Sequence, residues 1–563
     1  MIVLARRLGA LAVTAAVTLT LTGVPAQAAQ APIDVRLIAF NDFHGNLEPP
    51  AGSSGRVTLS DGTAVVAGGA AYMATHVKQL RTKNTLVFSA GDNVGASPLA
   101  SALFHDEPTI DFMNDIGVNA SAIGNHELDK GYQELLRKQF GGCASDGCLF
   151  DKPFKGAKFP YLAANMTFDN GLPALLPFTV DFSGGVPVGV IGVPLKDLPS
   201  VTSADAIKGL KFGDEVQAIN RSADLLDRLG VKTIAVLLHQ GDNTEGGGPD
   251  DCRTSPGPAL AIAKAASAKV DVIFSGHSHQ QYNCSVPDPA GNPRPLIQGA
   301  SFGRLLSVVD LKIDPRTKDA IRSKTVAHND VVTRDVTPDP TVQALVSKAV
   351  TQAAPIANKA VGTITSDIVA AQQASGESPL GDVIGDAQLE STKSAGAQVA
   401  LMNPGGIRAD LNFESSTAGV ADGTVTYANA FTVQPFANIL QTETLTGAQL
   451  KAVLEQQWQP QPDGSVQTKM LQISSSLHYT WSASAAVGSR ITSITVDGQP
   501  VTPDGSYKVT ANNFLTGGGD GFTVLKQGAG IVGGAIDLDA FTAYLTAHQN
   551  LAPPAADRIT RTS

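Results

Sequence analysis

Five short apolar runs in the first half of the chain each end in a burst of polar residues. They cover residues 35–40, 85–89, 120–123, 233–238 and 270–274. Runs of four to six residues, bounded by Gly, Asn and His, predict buried strands, because they are too short for core helices. The polar bursts are Asn41-Asp42-Phe43-His44-Gly45, Ala90-Gly91-Asp92-Asn93, Gly124-Asn125-His126-Glu127-Leu128-Asp129, His239, and Gly276-His277-Ser278-His279. Between the runs, residues 70–83 and 215–229 carry apolar positions at helical spacing. Strands alternating with helices predict an α/β architecture, in which loops leaving the C-terminal strand edge converge on ligands.

The residue types in those loops are those of a metal site. Residues two apart in extended chain share a side, so Asp42 and His44 can meet one cation. Asp92 is a candidate bridging carboxylate and Asn125 a candidate oxygen ligand, while His126 and Asp129 form a pair suited to proton or charge transfer. Of ten histidines, five (His44, His126, His239, His277, His279) stand at these strand ends. The others, His76, His105, His328, His478 and His548, are expected to be packed or solvated. Clustered His and Asp at ligand spacing point to metal chemistry, which a lone histidine does not.

The second half begins after a boundary at residues 335–361, where Pro338 and Pro340 precede an Ala/Val-rich segment that predicts a linker helix. Residues 33–334 form the expected first domain, 362–550 the second, and 551–563 a tail. The second domain carries three glycine- or proline-marked sites: Asn403-Pro404-Gly405-Gly406-Ile407-Arg408, Gln434-Pro435-Phe436, and residues 513–521, which include Phe514 and Asp520. Glycines there let backbone approach a ligand closely.

A chain of 563 residues that is 43% hydrophobic and only 16% charged has enough apolar material for two large cores. Its net charge of −10 excludes a basic groove tracking a nucleic-acid polymer. Residues 1–29 read as a secretory signal: Arg6 and Arg7, an apolar segment, then Ala26-Gln27-Ala28 as cleavage site, with no transmembrane anchor in the mature chain. An extracytoplasmic location suits two disulfides from the four cysteines; proximity favours Cys143 with Cys148 and Cys252 with Cys284, while three connectivities remain open.

In this order, Asn-Asp-x-His-Gly, Gly-Asp-Asn, Gly-Asn-His-Glu-x-Asp, a strand-end His and Gly-His-x-His make the chain resemble the secreted 5′-nucleotidase family of dinuclear metallophosphoesterases. Gly-Gly-Ile-Arg, Gln-Pro-Phe, and Asn-Phe with Gly-Gly-Asp-Gly extend the resemblance through the second half. It implies an N-terminal metallophosphoesterase domain of sandwiched β-sheets flanked by helices, a linker helix, and a C-terminal α/β substrate-binding domain. Position by position, it implies that Asp42, His44 and His279 hold one divalent cation, that Asn125, His239 and His277 hold a second, and that Asp92 bridges them. This mix of donors suits zinc, manganese or iron better than calcium or magnesium. His126, steadied by Asp129, would stand beside the phosphoryl group. Asn403, Arg408, Phe436, Phe514 and Asp520 would contact a nucleotide, with the two Phe rings clamping its base.

Two departures stand against the full transfer. The periplasmic 5′-nucleotidase/UDP-sugar hydrolase type has Gln at the position of His279. Relatives acting on nucleoside monophosphates also carry Arg at the position of Pro379 or of Asp382, and neither is present. Hydrolysis of nucleoside 5′-monophosphates is the expected reaction. The alternatives are 2′,3′-cyclic-nucleotide 2′-phosphodiesterase/3′-nucleotidase activity, UDP-sugar hydrolysis, and a secreted binding protein without catalysis; the oligomeric state stays open.

Overall fold

The computed structural model describes residues 30–563 apart from 203–205, 245, 255–256 and 462–464, and not the side chain of Ser53. The signal segment expected at 1–29 lies outside the described residues. All five apolar runs are strands. Ile33–Phe40, Thr85–Ser89 and Ala120–Ala122 lie side by side and parallel in one six-stranded sheet, and Thr233–His239 and Val272–Ser275 do so in another.

Period-two alternation explains how the sheets stack. Val35, Leu37 and Ala39 face one way and pack with Ala235, Leu237 and Phe274 of the second sheet, forming the sandwich core. Ile38, Phe40 and Val87 face the other way, onto helices. On the far side of the second sheet Ile234, Val236 and Leu238 bury Ile219, Ala223 and Leu226 of the helix Glu215–Arg228. With both faces covered, the strands read as nearly continuous apolar runs.

The second domain is built on a five-stranded sheet and a four-stranded one. The first contains Val399–Met402, Ser506–Asn512 and Ile439–Thr446 and ends on the edge strand Ala529–Ile536.

Two parts of the chain make contacts that the sequence did not announce. The linker helix Pro340–Ala357, capped by Asp339, is docked: Val342, Val346, Ala349 and Ala353 join the same apolar core as Phe112 and Met113 of the first domain. Residues 551–563 are not a free tail. Ile559–Thr562 pairs in parallel with Leu477–Ser482, and buried Arg558 forms a two-point ion pair with Asp386 at 2.8 and 3.1 Å. Both disulfides favoured by proximity are present, with Cα separations of 4.6 Å for Cys143–Cys148 and 4.9 Å for Cys252–Cys284. No helix among the described residues is long and apolar enough to cross a membrane.

Candidate metal centre and substrate cleft

The strand-end loops of the two sheets meet at one point. Asp42, His44 and His279 bring ligand atoms within 4.8 Å of one another, and so do Asp92, His239 and His277. His44, Asp92 and His126 form a third such group that joins the other two. The closest approaches are His44 Nε2 to His279 Nε2 at 3.1 Å and His239 Nε2 to Asp92 Oδ2 at 3.0 Å.

Hydrogen bonds set which ring nitrogens face inward. His44 Nδ1 donates to the Gly95 carbonyl and His239 Nδ1 to the Ala90 carbonyl, each at 2.8 Å. Each Nε2 therefore turns a lone pair toward the cluster, as a metal-ligating imidazole requires. Burial holds His277 down to about 3, and burial likewise lowers His44 and His279. At His239 burial also lowers the value, but Asp92, Asp42 and Glu127 outweigh it and raise it to about 9. Those carboxylates gather negative charge at this ring, as a cation site needs.

Two buried atoms complete the fit to a metal. The Asn125 side-chain oxygen makes no hydrogen bond, a state that costs about 1–3 kcal/mol unless something coordinates it, and His239 Nε2 faces only the Asp92 carboxylate, 3.0 Å away. Asp42, His44, Asp92, His277 and His279 all have φ between +47° and +71°, a region costly for residues other than glycine. Such outliers persist where the surroundings over-determine them, and five among seven expected ligands mark a built site. Gly124 permits the close packing: a Cβ there would lie 2.2 Å from Asp92 Oδ1 and 2.5 Å from the His239 ring.

Sequence reasoning missed the carboxylate that ties the loops together. Glu127 accepts from the backbone N–H groups of Asp92, Asn93 and Gly124 at 2.9, 2.8 and 2.6 Å, and from the Asn93 side chain at 3.2 Å. It fixes the loop bearing Asp92 to the loop bearing Asn125. Its only signal was membership of the Gly-Asn-His-Glu motif. Asn41 acts similarly on Asp42, donating to its Oδ2 at 2.6 Å.

His126 does not lie among the deeply buried residues. Its Nδ1 pairs with Asp129 at 2.8 Å, leaving Nε2 toward the cleft. Burial lowers its proton affinity, yet Asp129 and Asp92 together bring it above the ordinary imidazole value. The ring therefore holds its proton more tightly than a free imidazole does.

The second domain forms the opposite wall of a cleft of about 1370 Å³. Arg408 reaches across to His44, with Nη2 3.5 Å from Nε2. Phe436 lies flat against His126, ring centroids 5.5 Å apart and 17° between planes, and the Arg408 guanidinium sits 5.8 Å from the Phe436 ring centre. Phe514 lines the same cleft but rests on Gly519, where a Cβ would lie 2.5 Å from its ring. Both rings line the cleft from separate turns. Asp520, at φ +55°, receives Asn403 Nδ2 and Lys469 Nζ, each at 2.9 Å. Lys469 is a second residue that the sequence did not single out, a lone cation in a polar stretch. Neither Pro379 nor Asp382 lines the cleft. Asp382 is buried beside Arg558 in the second domain, and burial raises it to about 8.

Comparison with known proteins agrees with this geometry. Residues 35–281 match the family model for calcineurin-like phosphoesterases, and residues 356–527 match that for the 5′-nucleotidase C-terminal domain. The endonuclease YhcR of Bacillus subtilis is 32% identical over 87% of this chain, which spans only 37% of that protein's length. The cell wall protein Lmo0130 of Listeria monocytogenes is 32% identical over 94% of this chain and 69% of its own length. A crystal structure of a 5′-nucleotidase precursor from Thermus thermophilus superposes with a TM-score of 0.77 at 26% identity, covering 94% of this chain and 99% of that one. With both domains matched in order and its strand-end loops gathered into a metal centre, the chain belongs to the 5′-nucleotidase family and is a phosphoester hydrolase of the metallophosphoesterase type.

Proposed function

We propose that the protein is an exported, two-metal hydrolase that releases phosphate from nucleoside 5′-monophosphates. The observation that carries this reading is the meeting of the strand-end ligand cluster and the His126–Asp129 pair, across one cleft, with Arg408, Phe436, Phe514 and Asp520 of the second domain. Asp42, His44 and His279 would hold one cation and Asn125, His239 and His277 the other, with Asp92 shared; zinc, manganese and iron fit these donors. Bound there, the cations supply Lewis-acid polarisation of phosphoryl oxygens and a hydroxide nucleophile near neutral pH. Arg408 binds a phosphoryl oxygen and orients the group for in-line displacement. His126, kept protonated by Asp129, donates to charge that builds on the phosphoryl or leaving oxygen.

The second-domain residues hold the nucleoside. Phe436 and Phe514 offer aromatic faces, which stack on any base, and Asp520, positioned by Lys469 and Asn403, accepts from ribose or base donors. Two disulfides suit an oxidising compartment and support export.

One observation favours a second reading. Arg408 is the only arginine lining the cleft among the described residues. A 2′,3′-cyclic phosphodiester carries one charge where a terminal phosphate carries up to two, and it suits a single guanidinium. Hydrolysis of a panel of 5′-monophosphates, 2′,3′-cyclic and 3′-nucleotides and UDP-sugars by one manganese-loaded preparation, read as phosphate release for the monoesters and by chromatography of the nucleotide products for the cyclic esters and UDP-sugars, tests both. The highest kcat/KM is expected on 5′-monophosphates. A higher value on the cyclic esters selects the second reading, and no turnover on any ester leaves a binding protein.

A further inference from the structure

A second cavity, of about 340 Å³, adjoins the metal centre where the two domains meet. It shares Gly405 and Arg408 with the substrate cleft but is otherwise separate, and His279 and Phe302 form its inner wall. The Phe302 ring stands edge-on to His44 and His279, with centroids 6.0 and 5.5 Å away. The cavity therefore borders the group Asp42, His44 and His279, whereas Asn125 and His277 face the cleft. Its wall is built onto the metal-ligand loop. Phe302, at φ +60°, donates its N–H to the Asp42 carbonyl at 2.8 Å, and Ala300, at φ +52°, accepts from the Asn41 side chain at 2.5 Å. The strain that marks the metal ligands thus continues through this turn.

The chemistry of the cavity is that of an anion site. Arg304, Arg408 and His279 line it, and no carboxylate does. Arg304 is fixed by hydrogen bonds to neutral partners: Nε to the Ser301 carbonyl at 2.9 Å, and Nη1 to the Arg56 carbonyl and Nη2 to Ser301 Oγ, each at 2.8 Å. A guanidinium has more N–H groups than these bonds use, so donors remain for a ligand. Among the described residues no acid offsets its charge, and burial alone pushes it down to about 10. A cation held out of water without a counter-charge is costly, and an anion beside it removes that cost. Ser301 is 1% exposed and accepts through Oγ, which leaves its own O–H to donate.

Taking the metal centre as the source of phosphate, as proposed above, we propose that this cavity is a second anion site, which holds orthophosphate between Arg304 and Arg408 while the metals carry substrate. A tetrahedral dianion can accept from both guanidiniums and from the hydroxyls of Ser301 and of Ser54, on the short helix Gly52–Gly55. Arg408 borders both cavities, so phosphate leaving the metals keeps a partner as it crosses from one to the other.

Equilibrium dialysis of the metal-loaded full chain against radiolabelled orthophosphate tests this. The wild type should bind one orthophosphate more per chain than Ser54→Asp, with a dissociation constant of about 0.1–1 mM, the scale of a few charge-assisted hydrogen bonds. Ser54→Asp sets a carboxylate in the cavity without removing any bond that holds Arg304. Arg304→Gln should lose the same phosphate, and Arg304→Lys, which keeps the charge but not the fork, should retain it with affinity lowered by about three- to tenfold. Kinetics give a second reading. Orthophosphate should inhibit the wild type in a mixed pattern, because it binds beside substrate, and Ser54→Asp in a competitive one, because only the metals are left to it. Metal content and turnover of the wild type report separately on the proposed hydrolase: a chain that proved inactive and metal-free would still bind one phosphate more than Ser54→Asp. Equal binding by the wild type and Ser54→Asp, retention of the extra phosphate by folded Arg304→Gln, or purely competitive inhibition of the wild type would overturn the proposal.

Discussion

On the first-domain wall of the cleft, Asp42, His44, Asp92, Asn125 and His239 are all at most 3% exposed, and their loops are tied by Glu127, Asn41 and backbone carbonyls. On the opposite wall Arg408, Phe436, Phe514 and Asp520 are half-buried on short turns, and only Asp520 is held by two side chains. The contrast follows from what each wall has to do. Donor atoms around a pair of cations must be fixed to a fraction of an ångström, and strained backbone is the cost of that. A wall that selects a nucleoside needs faces and acceptors more than it needs rigidity. Chemistry and selection should therefore be separable by substitution.

The largest effect belongs to Asp92, the residue proposed to be shared by both cations. Asp92→Asn is expected to cut turnover by roughly 10⁴-fold or more, because it removes the charge shared between two cations. Metal content per chain should fall with it, while the melting temperature changes little. A variant that keeps two tightly bound metals and near-normal rate would contradict the bridging role.

His126→Asn should act on rate alone. Both metals stay bound, KM moves little, and kcat drops by roughly 10²-fold or more, as for a lost transition-state donor. Metal loss on this substitution would make His126 a ligand, which its place in a group with His44 and Asp92 allows.

Glu127→Gln sharpens the claim that the first wall is held from behind. The amide cannot accept from every N–H that the carboxylate now serves, so the loops bearing Asp92 and Asn125 should separate. Metal affinity measured by titration should weaken by about 10- to 100-fold, the usual scale for a group behind the ligands, with activity recovering in excess metal. A loss that excess metal does not repair would mean that Glu127 serves the fold only.

The walls also differ in how far they could be read from sequence. Each metal-ligand loop follows a strand whose apolar run is unmistakable, so Asp42, Asp92, Asn125, His239 and His277 could be located by counting from the run before them. Glu127 could not, because its role depends on N–H groups more than thirty residues away in sequence that only the folded sheet brings to it. Nor could the left-handed backbone at five ligands, since nothing in the residues Asp and His announces it. In the second domain the glycine-marked turns were visible, but not that Phe436 would lie flat on His126 of the other wall. Residues 551–563 looked like a tail because they are polar and carry two prolines, whereas Arg558 is held inside by its two-point ion pair with Asp386. Long-range ion pairs of this kind leave no periodic trace.

The most direct test of the division between the walls compares two substrates on Phe436→Ala and Phe514→Ala. Loss of one stacking face, about 1–3 kcal/mol, should raise KM for a nucleoside 5′-monophosphate by roughly ten- to a hundred-fold. Hydrolysis of a small aryl phosphate, which uses only the metal wall, His126 and Arg408, should stay within about twofold of wild type. Equal losses on both substrates with a lowered melting temperature would contradict the account, because the two rings would then be part of the fold and not of the nucleoside site.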